Sequence, residues 1–142
     1  RIGGQIENCY VTDFGIFASL DSYFLYAGGI SGKPANVINS AVYYFSAQGN
    51  IFNAGGIVGS CAGSRMYNPA GKELPDCYGG NIQGCLARKI ILTAEACTGG
   101  IAGESSTDSE NAVISNCYAT ELGFTTGVFE ENKLVKKDIP EV

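Results

Sequence analysis

Short apolar runs of strand length alternate with glycine-rich phrases along this chain. The runs at residues 23–26, 42–45 and 88–93 are rich in β-branched and aromatic residues, which favour strands. None of these runs keeps a helical period over ten or more residues. Glycine also recurs too often for long helices, because each interior glycine costs about 1 kcal/mol. The pattern predicts an all-β protein.

One glycine phrase occurs three times, at residues 27–32, 54–59 and 98–103, and reads Ala or Thr, then Gly-Gly-Ile-x-Gly. A second phrase alternates with it: an aliphatic residue, a spacer, Asn or Asp, then Cys or Ser. Its third position falls at Asn8, Asn39, Asp76 and Asn116, with a degenerate copy at Gly84. Two interleaved signals at recurring spacing are typical of stacked repeats.

The repeats predict a right-handed parallel β-helix, or β-solenoid, of about four to five irregular coils. In such a stack equivalent residues of successive coils lie roughly 4.8 Å apart, so like side chains form ladders. We expect Ile30, Ile57 and Ile101 to form one ladder and the Asn or Asp positions to form another at a corner. A β-sandwich with antiparallel hairpins is the alternative fold.

Composition predicts where the repeats are interrupted and where they end. Residues 60–76 and 104–111 are rich in turn-forming or small polar residues and read as surface excursions. Charged residues are concentrated in residues 130–142. We therefore expect a β-solenoid domain over residues 1–129 and a charged C-terminal cap or linker over residues 130–142. The start at Arg1 suggests a piece of a longer chain with neighbouring domains.

The charge balance excludes two classes of partner. The 142 residues carry a formal net charge of −5, and the first 129 contain no cluster of Lys and Arg, so nucleic acid is not an expected partner. The apolar runs fall far short of the ~20 residues that a membrane helix needs. We expect no membrane insertion.

The cysteines do not have zinc-site spacing. There are 6 cysteines, no Cys-x-x-Cys pair and no histidine, so we expect no metal or cofactor site. Four of the cysteines occupy the position of the second phrase that also accepts Ser40, which favours small, buried, free thiols. A disulfide framework stays open among the full set, Cys9, Cys61, Cys77, Cys85, Cys97 and Cys117.

The alternation of the two phrases resembles the GLUG repeat, whose Gly-Leu-aliphatic-Gly core is followed by an Asn-Cys-Tyr-Ala type segment. The strongest match is the glycine phrase at residues 99–103 followed by residues 114–120, with Ile in place of the Leu of the family. The resemblance implies a bacterial cell-surface or secreted protein of the adhesin-like or immunoglobulin A peptidase-associated kind. The implied location is extracellular or on the cell surface.

The implied function is that of a non-catalytic structural or adhesive repeat module, without catalytic, cofactor or metal residues. Its expected partners are host or dietary glycans, or a host or cell-surface protein. The residues expected to make contact lie in the two excursions: Arg65, Tyr67 and Asn68 in the first, and Glu104, Asp108 and Glu110 in the second.

Two other functions stay open. Because β-helices also host polysaccharide lyases and glycoside hydrolases, one is a small carbohydrate-active enzyme using paired carboxylates such as Asp13 and Asp21. Such a pair must sit about 5–9.5 Å apart. The other is calcium binding by Glu104, Asp108 and Glu110, which offer oxygen ligands but lack the Asp-x-Asp-x-Asp-Gly pattern.

Overall fold

All regular elements that the computed structural model describes are strands. It describes residues 5–19, 21–61, 70–71, 80–105, 113–130 and 133–136. The strands are β1 (Gln5–Glu7), β2 (Tyr10–Ala18), β3 (Phe24–Gly28), β4 (Asn36–Ile38), β5 (Ala41–Gly49), β6 (Ile51–Gly55), β7 (Val58–Ser60), β8 (Ile82–Gln83), β9 (Leu86–Ala94), β10 (Cys97–Gly99), β11 (Ala102–Glu104), β12 (Ile114–Ser115), β13 (Tyr118–Glu130) and β14 (Lys133–Lys136). The predicted all-β class is confirmed.

The strands fall into four successive units that pair in parallel. Unit 1 covers residues 5–31, unit 2 residues 36–60, unit 3 residues 82–104 and unit 4 residues 114–130. The long strands β2, β5, β9 and β13 lie side by side in that order, and so do the short strands β1, β4, β8 and β12. β6 lies between β3 and β10, and β7 pairs with β11. Equivalent strands of successive units therefore pair in parallel, with units 2 and 3 contributing to all four sheets, unit 1 to three and unit 4 to two.

The strand runs predicted from composition are confirmed, with longer bounds. Residues 42–45 lie in β5 and residues 88–93 lie in β9, and both strands extend further at each end. The run at residues 23–26 is shifted, since β3 begins at Phe24 and ends at Gly28. β13 runs through Gly127 and pairs antiparallel with β14, the one antiparallel pair among the described strands. The predicted domain boundary at 129/130 falls one residue before the end of β13.

The glycine phrase makes a turn so tight that two backbones touch. A Cβ atom on Gly55 would overlap the carbonyl oxygen of Val58 and lie 2.5 Å from the amide nitrogen of Gly103. The residue that follows each Gly-Gly pair is stacked on its equivalent: Ile30 donates its amide to the Ile57 carbonyl, and Ile57 donates to Ile101, both at 2.9 Å. The predicted isoleucine ladder is confirmed.

The second phrase forms a corner in every unit, and each corner residue has a left-handed backbone. Its φ angles are 55° at Asn8, 47° at Asn39, 64° at Gly84 and 52° at Asn116. Asn and Gly are the residues that reach this region at least cost. The third unit uses the degenerate copy at Gly84, whereas Asp76 lies outside the described residues.

The position after each corner explains why Cys and Ser exchange there. Each side chain donates a hydrogen bond to the carbonyl oxygen two residues earlier, at 3.5 Å for Cys9, 2.9 Å for Ser40, 3.4 Å for Cys85 and 3.2 Å for Cys117. A small side chain with one donor serves equally well as thiol or hydroxyl. The position is buried in units 2 and 3, half-buried in unit 4 and exposed in unit 1.

The cysteines that the structure describes are free thiols: Cys9, Cys61, Cys85, Cys97 and Cys117. Cys77 lies outside the described residues. Cys61 and Cys85 are buried, and Cys9 and Cys97 are exposed. Burial is the main cause that raises the pKa of the Cys85 thiol. Free thiols at the position after each corner are confirmed at Cys9, Cys85 and Cys117, but the burial predicted for them holds at Cys85 alone among these three, because Cys9 and Cys117 lie in the end units and lack a neighbouring unit on one side.

Candidate functional site: a groove along the strand kinks

The long strand of every unit is kinked at one residue with a left-handed backbone. These residues are Asp13, Tyr44, Lys89 and Glu121, with φ between 53° and 57°. Each lies five residues after the corner of its own unit. The parallel register is the same before and after the kink, since Thr12 pairs with Tyr43 and Phe14 pairs with Phe45. The kinks therefore form one row across the sheet.

The kink changes which side chains reach the surface. In unit 2, Tyr43 is half-buried and Tyr44 is exposed, although the two follow each other between the buried residues Val42 and Phe45. A regular strand would turn one of them inward. Every unit thus presents two adjacent side chains outward at the kink.

Left-handed backbone at residues other than glycine costs about 1–2 kcal/mol each. Such strain persists where the surrounding structure enforces it, and it often marks functional sites. Here it recurs at the equivalent position of all four units, between residues that pair in register on either side of the kink. The kink row is therefore the first place to look for a binding site.

An open groove of about 540 Å³ lies along the kink row in units 2 to 4. The surface of its lining is mainly apolar, with a few polar groups. The lining residues are Tyr44, Phe45, Ser46, Lys89, Ile91 and Glu121. The exposed fraction is 50% for Tyr44 and 55% for Ile91, so both offer apolar surface to a ligand. Concave sites with this mixture are typical of small-molecule binding.

Three charged groups and one phenol form a chain of contacts along the groove. The Lys89 ammonium donates to the Tyr44 hydroxyl at 2.9 Å and lies 4.5 Å from the centre of that ring. It also lies 3.9 Å from Glu121. Arg88 binds the same carboxylate through Nε at 2.8 Å and a terminal nitrogen at 2.7 Å. These contacts hold Tyr44 and Lys89 in place beside each other.

The contacts keep both cations charged. The hydrogen bond to Tyr44 is the largest cause that raises the pKa of Lys89, and the hydrogen bond to Glu121 does the same for Arg88. Arg88 lies beside the groove and is not part of its lining, but together with Lys89 and Glu121 it makes a cluster of two cations and one carboxylate on a chain whose formal net charge is −5. The net positive charge of this cluster favours an anionic group that binds next to it.

Glu104 lies at the end of β11 and is tied into the stack, although the sequence places it in an excursion. Its carboxylate accepts a hydrogen bond from Asn53 Nδ2 at 3.3 Å, and its main-chain oxygen accepts the Cys61 amide at 3.0 Å. Burial, followed by the charge of Glu104 and a hydrogen bond to it, raises the pKa of Tyr26. The side chain thus joins units 1, 2 and 3, which leaves it little freedom to contact a partner.

The other residues singled out from the sequence lie away from the groove or outside the described residues. Asp13 lies at the kink of β2, and Asp21 lies in the turn closed by the Ser22 amide and the Ser19 carbonyl at 3.0 Å. Neither lines the groove. The predicted contact residues Arg65, Tyr67 and Asn68, and also Asp108 and Glu110, lie outside the described residues.

Within the described ranges, no group of three or more His, Cys, Asp or Glu side chains is arranged to hold a metal ion. Comparison with models of protein families, with curated proteins and with solved structures found no match. The described segments also contain no helix long and apolar enough to cross a membrane.

Proposed function

We propose that this chain is a non-catalytic binding module in which the units wind as a right-handed parallel β-helix and present the kink groove to an acidic glycan. The in-register parallel pairing of equivalent strands supports the winding. Right-handed connection between parallel strands is the sterically favoured one. The GLUG resemblance supports a place in a bacterial cell-surface or secreted protein.

The observation that carries the binding proposal is the arrangement of Tyr44 and Lys89 in one open groove. An exposed tyrosine ring offers a flat apolar face for the carbon-bound hydrogens of a sugar. The ammonium group, 2.9 Å from the phenol oxygen, offers hydrogen-bond donors and a positive charge. A saccharide that carries a carboxylate satisfies both groups at once.

The groove is better suited to binding than to hydrolysis. Two carboxylates are needed for the usual glycosidase mechanisms. The groove lining contributes one, Glu121, and that group is ion-paired with Arg88 at 2.7 Å. A carboxylate held by a guanidinium is a poor proton donor, because the ion pair favours its charged form.

The test is a glycan array followed by calorimetric titration with the best-bound saccharide. We expect glycans with uronic or sialic acid groups to bind and neutral ones to bind at least about tenfold more weakly. The variants Tyr44→Ala and Lys89→Gln should each weaken binding by about tenfold or more. Phe52→Ala is the matched control, because Phe52 is an exposed aromatic residue of unit 2 outside the groove.

Two results would contradict the proposal. One is the absence of binding to acidic glycans by a folded sample. The other is equal affinity of the Tyr44→Ala variant, the Lys89→Gln variant and the Phe52→Ala control for the glycan that binds best. Thermal melting of all variants checks that the fold is kept.

A further inference from the structure

Equivalent inward-facing residues of successive units form rows across the sheets. The residues of each row are buried in the middle units and more exposed to solvent in the two end units. One row runs from Phe14 through Phe45 and Ile90 to Leu122. Phe45 and Ile90 are 1% and 0% exposed, whereas Phe14 and Leu122 are 44% and 40% exposed. The end residues are exposed because they lack one neighbouring unit.

Other rows follow the same rule. The row of Ile6, Val37, Ile82 and Ile114 is fully buried at its two middle positions, whereas Ile6 is half-buried and Ile114 is 43% exposed. The row of Ile16, Ala47, Leu92 and Phe124 likewise has two fully buried middle positions, with Ile16 half-buried and Phe124 43% exposed. Each end of the stack therefore presents an apolar surface that the next unit would cover.

Backbone pairing is also open at both ends among the described strands. β1, β2 and β3 are each paired on one side only, and so is β12 at the other end. β14 covers β13 over residues Gly127–Glu130, beyond the rows that contain Leu122 and Phe124. Open parallel edges with apolar rows between them are templates for further strands.

We propose that a second copy of this chain stacks on the first, with unit 4 of one copy against unit 1 of the next. This arrangement continues the internal interface between units: Phe14 meets Leu122, and Ile16 meets Phe124. It keeps all strands parallel, whereas stacking two unit 1 ends would make them antiparallel. The contact is heterologous, so it leads to open chains of copies instead of closed dimers.

One pair opposes the contact. In the row of kinks, Glu121 of one copy lies next to Asp13 of the other, and like charges at adjacent positions repel each other. Both side chains are exposed, so solvent and salt weaken the repulsion. Association is therefore expected to be modest at low salt, and Asp13→Lys should strengthen it by about fivefold.

Sedimentation velocity over a range of protein concentrations tests the proposal. The unmodified chain should form dimers and longer species as concentration rises. Phe14→Lys and Leu122→Lys each block one end, so each variant alone should be a monomer. An equimolar mixture should form a dimer that grows no further. The Phe14→Lys variant keeps an intact unit 4 end, and this end fits the intact unit 1 end of the Leu122→Lys variant.

Phe52→Lys is the control, since Phe52 is 38% exposed in a middle unit and should not affect association. Far-UV circular dichroism verifies that each variant is folded. If Phe14→Lys or Leu122→Lys unfolds, the Asp13→Lys variant still tests the contact, because it should strengthen association. The proposal is overturned if both the unmodified chain and the Asp13→Lys variant stay monomeric at high concentration. It is also overturned if either blocked variant still dimerises alone, or if the equimolar mixture of the two stays monomeric.

Discussion

The amide of Ile30 donates a hydrogen bond of 2.9 Å to the carbonyl oxygen of Ile57, which lies one unit later in the chain. Ile57 makes the same bond to Ile101 in the unit after that. Equivalent residues of three units are therefore joined by main-chain hydrogen bonds, and the sequence repeat becomes a repeat in space. The corner residues, the Cys or Ser position and the kinks all follow from this register.

Gly55→Ala should lower the free energy of unfolding by about 1–3 kcal/mol, the usual cost of forcing an added methyl group into a packed site. The added Cβ would meet backbone atoms of Val58 and Gly103, which cannot move away as a side chain can. Urea denaturation gives the measurement. The control is Gly123→Ala, where the nearest atom to the new Cβ is a side-chain carbon of Ile91 at 3.8 Å. Equal stability of the two variants would contradict the backbone contact.

The kink can be tested at Asp13, whose side chain is exposed and accepts one hydrogen bond from Thr12 at 2.9 Å. Asp13→Gly should leave stability unchanged or raise it, because glycine adopts a φ of 53° without strain. Asp13→Val should lower stability by about 1–2 kcal/mol, because a β-branched residue is strained there. Thermal melting of both variants checks this. The kink would be refuted if valine were tolerated as well as glycine.

Thiol reactivity should follow position in the stack. Cys9 and Cys97 are exposed, whereas Cys61 and Cys85 are buried, and burial raises the pKa of Cys85. Since the thiolate is the reactive form, we expect Cys85 to be alkylated at least about tenfold more slowly than Cys9 at neutral pH. Peptide mass spectrometry after timed exposure to iodoacetamide measures the rates. Equal rates in the native protein would be evidence against the placement of Cys85.

Stability should fall at alkaline pH in part through Tyr26. Its pKa is raised by burial, with Glu104 adding to the effect, so the folded state favours the neutral phenol. This contribution is fully present below the ordinary value of about 10 and is lost as pH rises through the raised pKa. Tyr26→Phe cannot ionise at this position, so the free energy of unfolding of the unmodified chain should fall relative to that of Tyr26→Phe above pH 10. Urea midpoints between pH 8 and 11.5 measure this difference, and a constant difference would rule out this role.

Much of the architecture could be predicted from the sequence because its rows repeat a residue type. The Gly-Gly-Ile phrase, the Asn corner and the Cys or Ser position each use one chemistry in every unit, as at Ile30, Ile57 and Ile101. The third corner is Gly84, the degenerate copy, and glycine fits there for the same backbone reason as Asn. Residue type and backbone angle agree at these positions.

The kink row could not be predicted from residue type, because Asp13, Tyr44, Lys89 and Glu121 share none. What they share is a place between two stretches of in-register parallel pairing, which is a tertiary property. One signal was present in the sequence. Counting from each corner, two outward positions follow an inward one, as at Val42, Tyr43 and Tyr44, and an apolar residue then returns. That break in the period of two marks a bulged strand.

The parallel register is tested most directly by methyl NOE spectroscopy on protein labelled at isoleucine δ1-methyl groups in a deuterated background. Stacked equivalent residues lie about 5 Å apart, well within the range of methyl cross peaks. The account predicts cross peaks from Ile57 to both Ile30 and Ile101. Cross peaks from Ile57 to neither of them, in a folded sample, would contradict it.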